Sequence, residues 1–340
     1  MFFNQKSKIS IILPTFNSEN YLQDTLQSIL NQNYKNYELI IIDNVSIDNT
    51  INIINSYKKK LHLKLIQKKT KNLAEALNIG INESSGEFIA RIDADDIVRK
   101  KRFSKQVAFL KRNIDYDIVG TNAFRFKNNI FFVKPFLIDY EDIFLKISMI
   151  FNSPFIHPSI MVRKKFIDNN YINYNHKFDE CEDYELWLKI VKKTKFKNLK
   201  YHGIYYRVHS QSASFKKREK LNEFFEISNR KYLSDLNINL SNNEYDILRK
   251  VSLLMINNND DYDDLNSNYI KVLQKIEEAL IQEHNKDLIN NFLKKKYLRF
   301  CLRSINTCHF HPRKIRNIYF KINKIYLLII YLLYLFKIRL

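Results

Sequence analysis

The chain has 340 residues, a formal charge of +20 and 45% hydrophobic residues, enough for one large domain with an extension and too apolar for wholesale disorder. Its 4 glycines, Gly80, Gly86, Gly120 and Gly203, fit neither a dinucleotide-binding G-x-G-x-x-G nor a P-loop, so any phosphate must be held without a glycine cradle. The 3 cysteines, Cys181, Cys301 and Cys308, form no C-x-x-C pair, which speaks against a cysteine zinc site or a disulfide framework and fits a reducing compartment.

Ile9 to Leu13 is a continuous apolar, β-branched run ended by Pro14 and reads as a strand buried on both faces. Leu22, Leu26, Ile29 and Leu30 recur at helical spacing. Glu38 to Ile42 is a second buried strand, ending at Asp43. Ile51, Ile54 and Tyr57 mark a helix entered through the Asp48-Asn49-Thr50 cap region. Leu61, Leu63 and Leu65 alternate as a third strand, Leu73, Ala76 and Leu77 mark a third helix, and Phe88 to Ile92 is a fourth strand ending at Asp93. This alternation with short connections predicts an α/β fold, a parallel sheet with helices on both faces. After Asp96 the pattern changes: a helix over Phe103 to Leu110, a hairpin over Phe124 to Val133 around Asn128-Asn129, and helices over Ile143 to Ile150 and Tyr184 to Val191. A strand follows over Ile204 to Val208. From Lys216 nearly everything reads as helix, so the expected division is a catalytic domain over 1–214 and a helical extension over 215–340.

In a parallel α/β sheet, ligands bind beyond the carboxyl ends of the strands. That rule selects Pro14-Thr15-Phe16-Asn17, Asp43, and Asp93-Ala94-Asp95-Asp96. Three carboxylates this close repel one another unless a cation sits among them, and oxygen ligands suit Mg²⁺ or Mn²⁺ with phosphate oxygens completing the shell. The competing reading is a helix N-cap region before Phe103, where acids satisfy amide donors.

The runs Ser10-Ile11-Ile12-Leu13-Pro14-Thr15-Phe16-Asn17 and Ile40-Ile41-Ile42-Asp43-Asn44-Val45-Ser46-Ile47-Asp48-Asn49-Thr50 resemble the opening of inverting family 2 glycosyltransferases of the GT-A fold. Ala74-Glu75-Ala76-Leu77-Asn78-Ile79-Gly80-Ile81, Gly86-Glu87-Phe88-Ile89-Ala90-Arg91-Ile92-Asp93-Ala94-Asp95-Asp96 and Glu182-Asp183-Tyr184-Glu185-Leu186-Trp187-Leu188 continue the resemblance, which spans roughly residues 8 to 210. It implies a Rossmann-like, mostly parallel GT-A sheet and transfer of one sugar from a nucleotide-sugar, most naturally a UDP-sugar, to a hydroxyl of a surface-glycan or lipid-linked acceptor. Pro14, Thr15, Asn17 and Glu19 would line the nucleotide pocket, Asp43 would accept from the base, Asp93 would face the ribose, and Asp95, with Asp93 beside it, would hold Mn²⁺ or Mg²⁺ on the diphosphate. Asn44, Ser46, Asn72, Ala74, Asn78, Arg91, Ala94 and Arg207 complete the expected nucleotide-sugar set. Asn44 stands where the family usually repeats an aspartate and Asn72 where a glycine is common.

Asp183 would be the general base that deprotonates the acceptor, with Glu182 beside it binding the acceptor. His209 reads as a further metal ligand, a diphosphate donor with Arg207, or an ordinary loop histidine. His157 and Trp187 read as acceptor contacts or as packing, and Arg91 as a diphosphate contact or a partner of Asp96.

After Asp287 there is no acidic residue, while Arg313, Lys314, Arg316, Lys321 and Lys324 precede the apolar run Ile325 to Phe336 and Lys337 and Arg339 follow it. That run is too short for the roughly 18–20 residues needed to span a bilayer. Flanked by cations, it predicts attachment to an anionic membrane surface, hence a cytoplasmic protein peripheral on the inner face of the plasma membrane. A solvated lysine-rich face is the alternative. The N-terminus lacks the apolar stretch of a signal peptide. A processive polysaccharide synthase would carry Q-x-x-R-W, which the lone Trp187 cannot supply. A basic nucleic-acid-binding protein finds no support in RNP-like, helix-turn-helix or zinc spacing, so no nucleic-acid partner is expected. A nucleotidyltransferase would use similar carboxylates but release pyrophosphate.

Overall fold

A computed structural model describes residues 7–127, 133–136, 138–178, 181–209, 218–252 and 262–307. The alternation read along the first hundred residues is present: β1 (Ile9–Thr15), α1 (Leu22–Leu30), β2 (Tyr37–Asp43), α2 (Thr50–Tyr57), β3 (Leu63–Gln67), α3 (Leu73–Asn82) and β4 (Phe88–Arg91). Then come β5 (Ile97–Val98), α4 (Arg102–Arg112), β6 (Tyr116–Phe126), β7 (Lys134–Phe136), α5 (Asp142–Ser148), β8 (Met161–Arg163), α6 (Lys164–Asn169), α7 (Glu182–Ile190) and β9 (Lys195–Arg207).

The strands form one sheet in the order β3-β2-β1-β4-β8-β6-β9-β5, with β7 paired to β6. β3, β2, β1 and β4 run parallel, and β6 and β9 are parallel to each other. β8 lies antiparallel between β4 and β6, and β5 and β7 are antiparallel additions. The antiparallel β6–β7 pair matches the expected hairpin, whose Asn128-Asn129 turn lies outside the described residues.

Alternation along the strands separates the sheet's two faces. Ile9, Ile11, Leu13, Leu39, Ile41, Phe88 and Ala90 pack with Leu22, Leu26 and Ile29 of α1 and Phe103, Val107 and Leu110 of α4. The positions between them face α3. There Gly80 is needed: a Cβ would come within 2.5 Å of Ile12 Cγ2 and 3.0 Å of Ile42 Cδ1. Asn72 caps α3 by accepting from Glu75 N, and Glu75 accepts from Lys71 N in return.

Parallel register does the positioning. Thr15 stands opposite Asp43, and Ile12 opposite Arg91, so the ends of β1, β2 and β4 deliver their loops to one edge of the sheet.

Clustering divides the chain into two compact units, the first holding residues to Met149 and Ser153–Ser228, the second Ile150–Asn152 and the chain from Asn229. Described helices from Arg218 onward are α8 (Arg218–Asp235), α9 (Asn242–Ser252), α10 (Tyr262–Leu280) and α11 (Lys286–Thr307). The second unit has its own core, including Tyr245, Leu248, Tyr269, Leu273, Phe292 and Tyr297. No described helix is long and apolar enough to cross a membrane. The basic, apolar tail from Arg313 lies outside the described residues.

Candidate active site

The loops after β1 and β2 are joined side by side. Asn17 N donates to Ser46 Oγ, Asn17 Oδ1 accepts from Ile47 N, Ser18 N donates to Thr50 Oγ1, Glu19 N donates to Asp48 Oδ2, and Glu19 Oε2 accepts from Asn49 N. Both loops turn through left-handed backbone, with φ of 46° at Asn17 and 57° at Val45. A β-branched residue there is strained, and such strain concentrates at functional loops. Pro14 is half-buried and Phe16 is 58% exposed beside them.

Asp43, expected to read the base, is wholly buried. Its carboxylate accepts from Thr15 Oγ1 at 3.2 Å, Ser46 Oγ at 2.5 Å and Ser46 N at 2.9 Å. It ties the turn in this conformation, while Phe16, Asn17 and Val45 in the adjoining loops are exposed. Asn44 Oδ1 in turn accepts from Thr70 N. Asn72 and Asn78, expected in the nucleotide pocket, instead pin the segment before α7: Asn72 Nδ2 donates to His176 O, and Asn78 exchanges two bonds with the Tyr174 backbone. Ala74 is buried in the face of α3.

After β4 the carboxylates of Asp93, Asp95 and Asp96 bring ligand atoms within 4.8 Å of one another. Thr25 Oγ1 anchors this loop, 2.9 Å from Ala94 O and 2.8 Å from Asp96 O. Burial and the neighbouring Asp95 and Asp183 push the Asp93 carboxyl up to about 6, although Arg91 pulls the other way. Burial, then Asp95 and Asp93, hold Asp96 well above the usual carboxylate range. Asp96 Oδ2 is buried with no hydrogen-bond partner among the described residues. A divalent cation would relieve both features, so the donor set fits Mg²⁺ or Mn²⁺.

Three arginines and a histidine surround the acids. Arg207 donates from N to Asp96 Oδ1, from Nε to Asp95 O and from a terminal nitrogen to Asp24, and its guanidinium lies 4.6 Å from the Tyr21 ring and 4.5 Å from that of Phe126. Held between two rings and bonded through Nε and one terminal nitrogen, it clamps the acidic loop. His209 Nε2 sits 2.8 Å from Asp95 Oδ2 and its ring stacks near Tyr21, so it touches a carboxylate of the triad. Arg102, not singled out in the sequence, is wholly buried and donates to the Arg91 and Ile160 carbonyls. Burial lowers its pKa to about 9 against the pull of Asp96.

Arg91 is buried, 2.6 Å from Asp93 rather than paired with Asp96. Burial works against its charge, but Asp93, Tyr174, Glu182 and Asp183 outweigh it and keep the guanidinium cationic. Arg91, Tyr174 and Asn173 are the polar residues lining a cavity whose other walls are apolar side chains such as Leu77, Ile89, Val162 and Trp187.

Glu182 and Asp183 open α7, and they differ in setting. Glu182 is buried, its Oε1 3.8 Å from His157 Nδ1. His157 is also buried, bonds Tyr174 Oη through Nε2 at 2.8 Å, and is kept neutral by burial and by Arg91. Asp183 is half-buried and accepts from Ser153 Oγ at 3.2 Å and Tyr184 N at 2.6 Å. Burial raises its pKa, with Arg91 and those bonds opposing. Trp187 is fully buried, so it offers no ring to an acceptor, and His157 faces inward as well; both are corrections to the acceptor contacts expected, made by the apolar packing behind α7.

Comparison with known proteins agrees with this geometry. Residues 10–172 match the family described as "Glycosyl transferase family 2". EpsE of Bacillus subtilis (strain 168) is 34% identical over 220 residues, covering 63% of this chain and 77% of EpsE. The Escherichia coli UDP-Glc:alpha-D-GlcNAc-diphosphoundecaprenol beta-1,3-glucosyltransferase WfaP is 29% identical, covering 63% of this chain and 82% of WfaP. The crystal structure of S. aureus TarS 1-349 in complex with UDP-GlcNAc superposes with a TM-score of 0.57 at 18% identity, covering 87% of this chain and 90% of that one. With the acidic loop at the end of β4 and the carboxylate pair at the start of α7 standing on a GT-A sheet, the chain belongs to glycosyl transferase family 2.

Proposed function

We propose that this glycosyltransferase moves a single sugar, with inversion, from a UDP-sugar to a hydroxyl of a surface-glycan or lipid-linked acceptor. The carrying observation is the acidic loop after β4, where Asp93, Asp95 and Asp96 bring ligand atoms within 4.8 Å of one another and Arg91 lies 2.6 Å from Asp93. That cluster supports a cation and diphosphate site, with Asp183 at the start of α7 as the base. Support for the donor comes from TarS, solved with UDP-GlcNAc, and for the acceptor from WfaP, named for a diphosphoundecaprenol-linked sugar. The catalytic part is residues 1–214, with 215–340 as a helical extension.

Asp95 and Asp93, with Asp96 behind them and His209 against Asp95, would hold Mn²⁺ or Mg²⁺. A divalent ion supplies charge stabilisation for the departing diphosphate. Phe16, Asn17, Asn44 and Ser46 receive the nucleoside at the joined loops, and Arg207 keeps the acidic loop in place. Asp183 takes the acceptor proton, a role worth ~10²–10⁴-fold. Glu182, turned toward His157, orders the acceptor side. In-line attack from the face opposite the leaving group inverts the anomeric carbon.

Two variants test this reading. Asp95→Ala should abolish UDP release from UDP-sugars and remove the Mn²⁺-dependent part of UDP affinity in calorimetry; unchanged metal-dependent binding rejects the cation site. Asp183→Asn should bind UDP as wild type while transfer drops by about two to four orders of magnitude. Greater damage from Glu182→Gln, with Asp183→Asn still active, reverses the two roles.

A further inference from the structure

Asp183 and Trp187 are four residues apart on α7 and so share one helix face. The loop before β8 brings Ser153 between them. Trp187 Nε1 donates to Ser153 Oγ at 3.1 Å, and that hydroxyl lies 3.2 Å from Asp183 Oδ2 and 3.2 Å from Phe155 O. The indole itself is immobilised: it is fully buried, with Phe155 edge-on at 5.1 Å and His157 at 5.8 Å.

We propose that Ser153 and Trp187 are positioning residues that hold the Asp183 carboxylate in the orientation needed to take the acceptor proton, an inference that rests on Asp183 being the base. The chemistry is a matter of counting hydrogens. Ser153 has one O–H and two acceptors at equal distance. Trp187 fills a lone pair of that oxygen and fixes the direction from which the hydroxyl can donate. An ionised carboxylate forms the stronger bond, so while Asp183 is charged the hydroxyl belongs to Oδ2. Oδ1 is held by Tyr184 N, so each carboxylate oxygen carries one bond and the carboxylate plane cannot turn. Once Asp183 has taken a proton, its acceptor strength falls and the Phe155 carbonyl becomes the competitive partner. The buried indole thus acts on catalysis at one remove, without meeting a ligand.

The test is a double-mutant cycle on the full chain. UDP release from UDP-glucose and UDP-N-acetylglucosamine with Mn²⁺ is followed for wild type, Ser153→Ala, Ser153→Thr, Trp187→Phe, Asp183→Asn and Ser153→Ala/Asp183→Asn. UDP affinity is measured by calorimetry alongside. Ser153→Ala should lower kcat about tenfold, with KM and UDP affinity within about twofold of wild type. Ser153→Thr, which restores a hydroxyl, should recover most of the loss. In the Asp183→Asn background the serine change should cost nothing further, because the group it orients is gone. Trp187→Phe should share the Ser153→Ala phenotype; its unfolding midpoint is read first, and if it does not fold the serine variants carry the decision. Wild-type kcat in Ser153→Ala, or an equal loss in both backgrounds, overturns the proposal. Full activity in Asp183→Asn removes the base assignment itself and the positioning role with it.

Discussion

Single side chains show how little of this site is free to move. The Arg207 guanidinium carries four contacts at once: Nε to the Asp95 carbonyl, a terminal nitrogen to Asp24, and the Tyr21 and Phe126 rings, while its backbone N donates to Asp96. A planar guanidinium can do this and an ammonium cannot. Arg207→Lys should therefore weaken Mn²⁺-dependent UDP binding about ten- to hundredfold, the range implied by losing a charged hydrogen bond of ~1.5–3 kcal/mol. Calorimetry with and without Mn²⁺ reads it; equal affinity for both proteins would show that the clamp does not shape the acidic loop. Arg102 escapes the sequence reading because it looks like one more surface cation before an apolar helix face; only its complete burial and its bonds to the Arg91 and Ile160 carbonyls set it apart.

At the scale of elements, β1 and β2 are tied at the end away from the site. Glu38 accepts from Lys8 Nζ at 2.8 Å, Ser10 Oγ at 2.5 Å, and Ser85 N and Oγ at 2.9 and 2.8 Å. Burial raises its pKa, but these donors win and bring it down to about 2 from an ordinary 4.5. A folded-state value below the unfolded one means the carboxylate contributes stability above about pH 4.5 and loses it as the pH falls toward 2. Unfolding midpoints should thus drop over that window, and Glu38→Gln should flatten the drop while lowering the neutral-pH midpoint. Matching pH curves for the two proteins would exclude the Glu38 cluster as the acid-labile tie. Among the strands that sequence patterning missed, β5 and β8 are too short to show a period, and the early parts of β6 and β9 are interrupted by buried polar residues. Thr121, Asn122 and Asn198 are fully buried polar residues held by neighbours, with Asn122 Oδ1 accepting from Ile138 N and Asn198 Nδ2 donating to Asp139 O, although Asn198 Oδ1 has no partner among the described residues. Buried polar residues with partners read as loop when partners are invisible.

For the whole molecule, the open question is where the enzyme works. The charge of +20 is weighted to the C-terminus, where cations flank the apolar run Ile325 to Phe336. A lipid-linked acceptor lies at a membrane, and each cation near an anionic leaflet contributes on the order of 1 kcal/mol. Deleting Arg313 to Leu340 leaves α11, which ends at Thr307, intact. The truncated protein should lose flotation with phosphatidylserine-containing liposomes and keep UDP-sugar hydrolysis. Loss of folding on truncation, with full-length protein ignoring liposomes, would make the tail a structural segment instead.

Periodicity by itself determined the front half of the fold. Buried runs such as Ile9 to Leu13 and amphipathic spacing such as Leu22, Leu26 and Ile29 need only local alternation to be read, and strand ends then point to Asp43 and the Asp93 to Asp96 run as candidate ligand positions. Tertiary structure decided which of those side chains are tied up by protein partners. Asp43 is turned inward by Ser46 and Thr15, Asn72 and Asn78 hold the Tyr174 segment, and Trp187 reaches Asp183 through a serine 30 residues before it. Burial and hydrogen-bond partners are properties of residues distant in the chain brought side by side by packing, and no local pattern encodes them.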